Sequence, residues 1–168
     1  MKAIGASRLG RLFDEHAAAL VLFARQWSSD PDDVVQEAFL RLARQPNAPE
    51  NPAAWLFEVV RNVSISDARG NRRRRDREAR AADRAPWFTT RVDDALDARE
   101  AARLLDELNP AHREVVVARI WGGLTFDEIA RLAGCSVSAA HRRYEAGLSR
   151  LHERLEPTWT PNLTPNRS

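Results

Sequence analysis

Apolar residues along the chain recur every three or four positions, and sustained alternation is absent, so the pattern reads as a series of amphipathic helices. Leu9, Leu12, Phe13, Leu20, Phe23, Ala24 and Trp27 form one stripe and predict a first helix over 7–27. Ser28-Ser29-Asp30-Pro31 breaks it: Asp30 is the expected cap, Pro31 fits the first helical position, and Asp32 and Asp33 suit the positive end of the next dipole. Val34, Val35, Ala38, Phe39 and Leu42 then give the buried side of a second helix to about residue 44, leaving Asp33, Gln36, Glu37 and Arg41 outside. The loop 45–51 has two prolines and no apolar anchor, and Asn51-Pro52 restarts the chain. Trp55, Leu56, Val59, Val60 and Val63 predict a third helix continuing to 69. Helical spacing lapses over 76–93, which reads as a linker, and resumes over 94–108 through Leu96, Leu104, Leu105 and Leu108. Asn109-Pro110 opens another helix that ends at Trp121-Gly122-Gly123. The expected fold is all-α: two small helical domains over 1–75 and 94–156, a flexible linker over 76–93, and a disordered proline- and threonine-rich tail over 157–168.

Residues 125–151 carry the densest pattern, two amphipathic helices joined by a very short turn, which is the layout of a helix-turn-helix. Thr125 with Glu128 three residues on makes a capping box for the first of them. Ile129, Ala130, Leu132 and Ala133 supply its buried face, Gly134 permits the turn, and Ser136 caps the second. Val137, Ala140, Tyr144, Leu148 and Leu151 are expected to face inward. That register turns Ser138, His141, Arg142 and Glu145 outward, flanked by Arg143, as a hydrogen-bonding face near the helix start suited to base edges in a major groove.

Charge sharpens this picture. The formal net charge is only +2, but of 26 basic residues Lys2 is the one lysine. Arginine grips phosphates in a fork and stacks on bases, a set that suits nucleic acid. Between 69 and 80 seven arginines face two acids, a density that repels itself unless a polyanion neutralises it, so Arg72, Arg73, Arg74 and Arg75 are expected to lie along phosphates. The single cysteine, Cys135, excludes an internal disulfide, and no apolar run is long enough for a membrane span or a signal peptide, so the expectation is a cytoplasmic protein with no membrane insertion. No zinc or nucleophile spacing emerges: Cys135 and His141 lie six apart across a turn and His112 is distant, which predicts no metal, no cofactor and no enzymatic activity, with Cys135 in core packing.

Together these residues resemble the extracytoplasmic-function sigma factors, the compact branch of the bacterial primary-sigma superfamily. DDVVQEAFLRLAR at 32–44 is similar to the family's D-x-x-Q-x-x-F helix through Asp33, Gln36 and Phe39. NPAAWLFEVVRNVSISDARGNRRRR resembles its promoter-melting helix through Trp55, Leu56, Asn62 and Arg69, although Ser66 stands where Asp is usual and Glu58 where a basic residue is common. LNPAHREVVVARIWGGLTFDEIARLAGCSVSAAHRR resembles the upstream-element reader through Leu108, Pro110, Arg113, Val115, Gly123, Leu124, Glu128, Ile129, Ala130, Gly134 and Arg143, with Ala139, Ala140, His141 and Arg142 in place of the usual T-V-K-S run. The resemblance implies an alternative sigma factor that binds core RNA polymerase and directs promoter-specific initiation. Asp33, Gln36 and Glu37 would dock the polymerase clamp and the second domain its flap. Ser138, His141, Arg142, Arg143 and Glu145 would read the upstream promoter element as duplex. The loop 45–51 with Trp55, Asn62 and Arg69 would contact the melted downstream element. An anti-sigma factor is a further partner that the resemblance admits. The competing reading is a stand-alone helix-turn-helix regulator that never touches polymerase, which leaves the acidic face of the first domain without a role.

Overall fold

The computed structural model describes residues 3–74 and 102–155, with the backbone alone for 67–74 and 155. The expected linker 76–93, Arg75, the first part of the helix expected over 94–108, and the tail 157–168 lie outside the described residues. Every described element is a helix: α1 (Ala6–Ala24), α2 (Pro31–Ala43), α3 (Pro52–Arg74), α4 (described over 102–106), α5 (Pro110–Ile120), α6 (Phe126–Ala133) and α7 (Val137–Leu155).

The first three helices pack pairwise around Leu20, Phe23, Val35, Leu42, Leu56 and Phe57, all fully buried. Aromatic edges lock the pairs, Phe13 on Phe39 and Phe23 on Phe57 each with ring centroids 5.0 Å apart. In the second unit α7 lies along α5 and crosses α6 over Val115, Val116, Ile129 and Ala140. The approach of α7 to α5 is unusually close. A Cβ built on Gly147 would sit 2.6 Å from Val116 Cγ2, well inside normal carbon contact. The two units share one continuous core, because α1 and α3 also lie against α5 and α6.

Three local expectations need correction. The first helix stops at Ala24 rather than Trp27; the chain turns there, with the Trp27 and Ser28 amides both returning to the Ala24 carbonyl, and Trp27 folds back edge-on to Phe23 at 5.1 Å. Asp30 stands at the start of α2, but its carboxylate makes no capping bond; instead the Ser28 hydroxyl accepts from the Asp30 amide at 3.1 Å. The third helix runs to Arg74, because arginine is a good helix former and the single Gly70 is tolerated within it. The asparagine starts are as expected. Asn51 Oδ1 accepts from the Ala54 amide at 3.2 Å, and Asn109 Oδ1 from the Ala111 amide at 2.9 Å.

Candidate nucleic-acid interface

The helix-turn-helix is fixed by its backbone chemistry. Thr125 Oγ1 accepts from the Glu128 amide at 3.3 Å while Glu128 Oε2 accepts from the Thr125 amide at 2.8 Å, so the capping box closes in both directions. At the other end of α6 Gly134 adopts φ +62°, and the Cys135 amide reaches back to the Ala130 carbonyl at 2.9 Å. Two residues later Ser136 Oγ accepts from the Ala139 amide at 3.2 Å and starts α7. Burial works to raise the Glu128 carboxyl pKa, but the Thr125 amide and hydroxyl, the Asn51 side chain and the Arg131 charge outweigh it and hold the group below its ordinary value.

On α7 the structure presents Ser138, Arg142 and Glu145 together, all exposed and spaced to share one face. Arg143 is half-buried at its flank. His141 is exposed, but its ring lies flat on Phe126, centroids 3.6 Å apart at 25°, and Arg119 covers the same phenyl ring with Cζ 4.9 Å from its centroid. Arg119 also donates to the Leu124 carbonyl at 2.7 Å, tying α5 to the start of α6. His141 therefore spends its ring on fixing α7 against α6. Val137, expected inward, is 38% exposed: it stands at the open edge beside Asp127, Arg131 and Gly134, and Ala140 one turn later fills the core instead. Cys135 is half-buried against the core, as expected.

The first unit carries two further groups. On α2 Asp33 and Gln36 are exposed, and Glu37 is half-buried and paired with Arg41 at 2.7 Å. Leu40, on the same face, is 44% exposed, an apolar centre in a polar surface that the sequence reading passed over. The signal was available, since Leu40 falls one turn from both Gln36 and Glu37 and outside the buried stripe. On α3 Trp55 is half-buried and Asn62 exposed; with Arg69 they are seven residues apart and fall along one stripe of the helix. Arg72, Arg73 and Arg74 continue α3 at its last turn. Trp55 and the loop residues Pro49, Glu50 and Asn51 line a cleft of about 580 Å³ whose far wall is Glu128, Arg131 and Leu132 of the second unit. Among the described residues no cluster of three His, Cys, Asp or Glu could hold a metal, and no helix is long and apolar enough to cross a membrane.

These positions coincide with two recognised family segments. Residues 12–74 match the family described as Sigma-70 region 2, and residues 98–151 match Sigma-70, region 4. The chain is 31% identical over 163 residues to the ECF RNA polymerase sigma factor SigL of Mycobacterium tuberculosis, covering 92% of each. It is 33% identical over 129 residues to the RNA polymerase sigma factor CarQ of Myxococcus xanthus, covering 74% of each. Among solved structures, CnrH in complex with the cytosolic domain of CnrY superposes with a TM-score of 0.59 at 26% identity, over 92% of each chain. The sigma factor RpoE of Bartonella quintana, in complex with the anti-sigma factor NepR, superposes with a TM-score of 0.61 at 25% identity, over 88% of this chain and 95% of that one.

Proposed function

The chain belongs to the extracytoplasmic-function branch of the sigma-70 factors, and from that premise we propose how its surfaces divide the work of transcription initiation. It is an alternative sigma factor: it joins core RNA polymerase, binds promoter DNA and directs where transcription starts. The observation that carries this is the presence of region 2 over α1 to α3 and region 4 over α4 to α7 within one chain. A stand-alone regulator would leave the whole region 2 segment without a purpose.

The α2 face of Asp33, Gln36 and Glu37, centred on exposed Leu40, docks the polymerase, with charge giving orientation and the leucine giving buried area. Ser138, Arg142 and Glu145 enter the major groove of the upstream element, and Arg143 meets its phosphates. His141 acts from the side, through its stack on Phe126. Trp55, Asn62 and Arg69 follow one stripe of α3 toward the melted strand, while Arg72 to Arg75 neutralise phosphates. The protein supplies promoter choice and no chemistry of its own. It works in the cytoplasm, where polymerase and chromosome meet. The two solved neighbours were each captured with a partner, NepR being named an anti-sigma factor, and an inhibitor of that kind is a fitting regulator here as well.

Gel filtration of the protein with core polymerase separates the two readings. A sigma factor co-elutes with the core enzyme in the absence of DNA, whereas a stand-alone regulator elutes alone and still shifts duplex fragments.

A further inference from the structure

Where α7 runs past the start of α5 toward the end of α4, the helices leave a hollow of about 390 Å³. Leu108, buried, and Leu104, half-buried, give it an apolar floor. Arg150 and Arg154, exposed and one turn apart on α7, form one side, and Asn109 and His112 at the start of α5 form another. Glu107 completes the lining and pairs with Arg154 at 3.2 Å.

This lining suits a flat aromatic ring with a polar edge. Guanidinium groups lie favourably on an indole face, and the arginine stems extend the apolar surface around it. A carbonyl oxygen has two lone pairs, and Asn109 Oδ1, which takes one hydrogen bond from the Ala111 amide at 2.9 Å, has a second for an indole N–H. An anion fits less well, because it would meet the Glu107 carboxylate and two leucines, with Arg154 already partnered.

The chain carries such a ring close by. α7 ends at Leu155, one residue beyond Arg154. Residues 157–168 read PTWT, PNLT and PNRS, a four-residue pattern with Trp159, Leu163 and Arg167 in its third place. The proline that heads each unit restricts the free segment and so reduces the entropy lost on docking. Proline also does not carry a helix forward, which favours a turn of the chain at Pro157. Four residues take the chain from Leu155 to Trp159, a reach of about 13–14 Å, against about 7.5 Å of helix from Leu155 back to Arg150.

We propose that residues 156–168 fold back along α7 and seat Trp159 of the same chain in this hollow, between Arg150 and Arg154 and over Leu104 and Leu108. A tether this short holds the ring at a local concentration in the millimolar range, so a contact with a free-peptide Kd of about 0.1 mM keeps the hollow filled. The docked tail then braces the end of α4 and the start of α5 against the last turns of α7, the helix whose first turns carry Ser138, Arg142 and Glu145.

The test uses the full chain labelled with 5-fluorotryptophan, in which Trp159→Phe identifies the fluorine signal of Trp159 among those of the five tryptophans. That signal should stand apart from the one given by a labelled synthetic peptide of residues 156–168. In Arg150→Ala with Arg154→Ala, two exposed positions whose change leaves the fold intact, it should move toward the peptide value. A Trp159 signal in the parent that coincides with the free peptide's would overturn the docking. A fluorescein-labelled peptide of residues 156–168 should bind the full chain carrying Trp159→Ala at least tenfold more tightly than the parent, whose own tail competes for the hollow. Equal affinity for the two chains would also overturn it. The same peptide with Trp159→Ala should not bind; if it binds as well as the parent peptide and inorganic phosphate displaces it, the hollow takes an anion and the indole assignment falls. A Trp159 signal that returns to the peptide value on tenfold dilution of the protein would place the ring in a second copy and overturn docking within one chain.

Discussion

Two glycines in helix interiors should respond to alanine with opposite signs. Gly10 lies in α1 with nothing within 4 Å of where a Cβ would stand, so Gly10→Ala adds helix propensity without contact and should stabilise the protein by about 0.5–1 kcal/mol. Gly147 lies in α7, where the same Cβ would stand 2.6 Å from Val116 Cγ2 and 3.5 Å from His112 Cβ. Val116 is fully buried and, as a β-branched residue in a helix, has essentially one rotamer, so it cannot step aside; α5 and α7 must separate. Overpacking of this kind costs about 1–3 kcal/mol, and the propensity gain of about 1 kcal/mol offsets part of it, leaving a net loss centred near 1 kcal/mol. For a shared core of this size that is a fall of roughly 2–4 °C in Tm, against a smaller rise for Gly10→Ala. Thermal denaturation followed by far-ultraviolet circular dichroism reads both. Because α5 carries α7 into position, Gly147→Ala should also weaken duplex binding. A rise in Tm for Gly147→Ala comparable to that of Gly10→Ala would show that the two helices are not in close contact.

Arg142→Ala should relax one position of the upstream element by about 1–3 kcal/mol if its contact to guanine is bidentate, and Arg143→Ala should lower affinity evenly; selection of randomised duplexes against each holoenzyme distinguishes them. Replacing Arg72 to Arg75 with Ala should leave promoter ranking intact and reduce the salt slope of binding by about 0.9 for each phosphate that is no longer neutralised, measured by titration at several salt concentrations. Asp33→Lys with Glu37→Lys should reduce co-elution with core polymerase while free-protein DNA binding is kept, since the reversal acts on the α2 face alone.

The features legible in the sequence are those whose partners are a few residues apart. The Thr125–Glu128 box, the Gly134 turn and the Ser136, Asn51 and Asn109 caps are each set by one helical turn of chain, and each forms as read. The stripe of α2 and the outward set Ser138, Arg142 and Glu145 follow from helical period alone. What the pattern could not supply depends on which helix stands opposite. Val137 obeys the apolar period but stands at an open edge, and His141 points outward yet is captured by Phe126 from the preceding helix. Gly122 reads only as a helix end and Gly147 carries no signal of its own until Phe57 and Val116 are placed against them. Arg61 and Glu114 are 53 residues apart, and Asn51 and Glu128 are 77 apart, so no local rule pairs them. Asp30 had the residue type of a cap, yet its carboxylate makes no capping bond, and in the turn before α2 its own amide donates to the Ser28 hydroxyl.

Multi-round run-off transcription from a library of fragments of the source genome, with core RNA polymerase in the presence and absence of the protein, bears most directly on its role as a sigma factor. The account predicts that the protein makes a small set of fragments into templates that core polymerase alone ignores, that these share an upstream element, and that Arg142→Ala redistributes them at one position of it. An unchanged transcript set on adding the protein, with duplex binding retained, would contradict it.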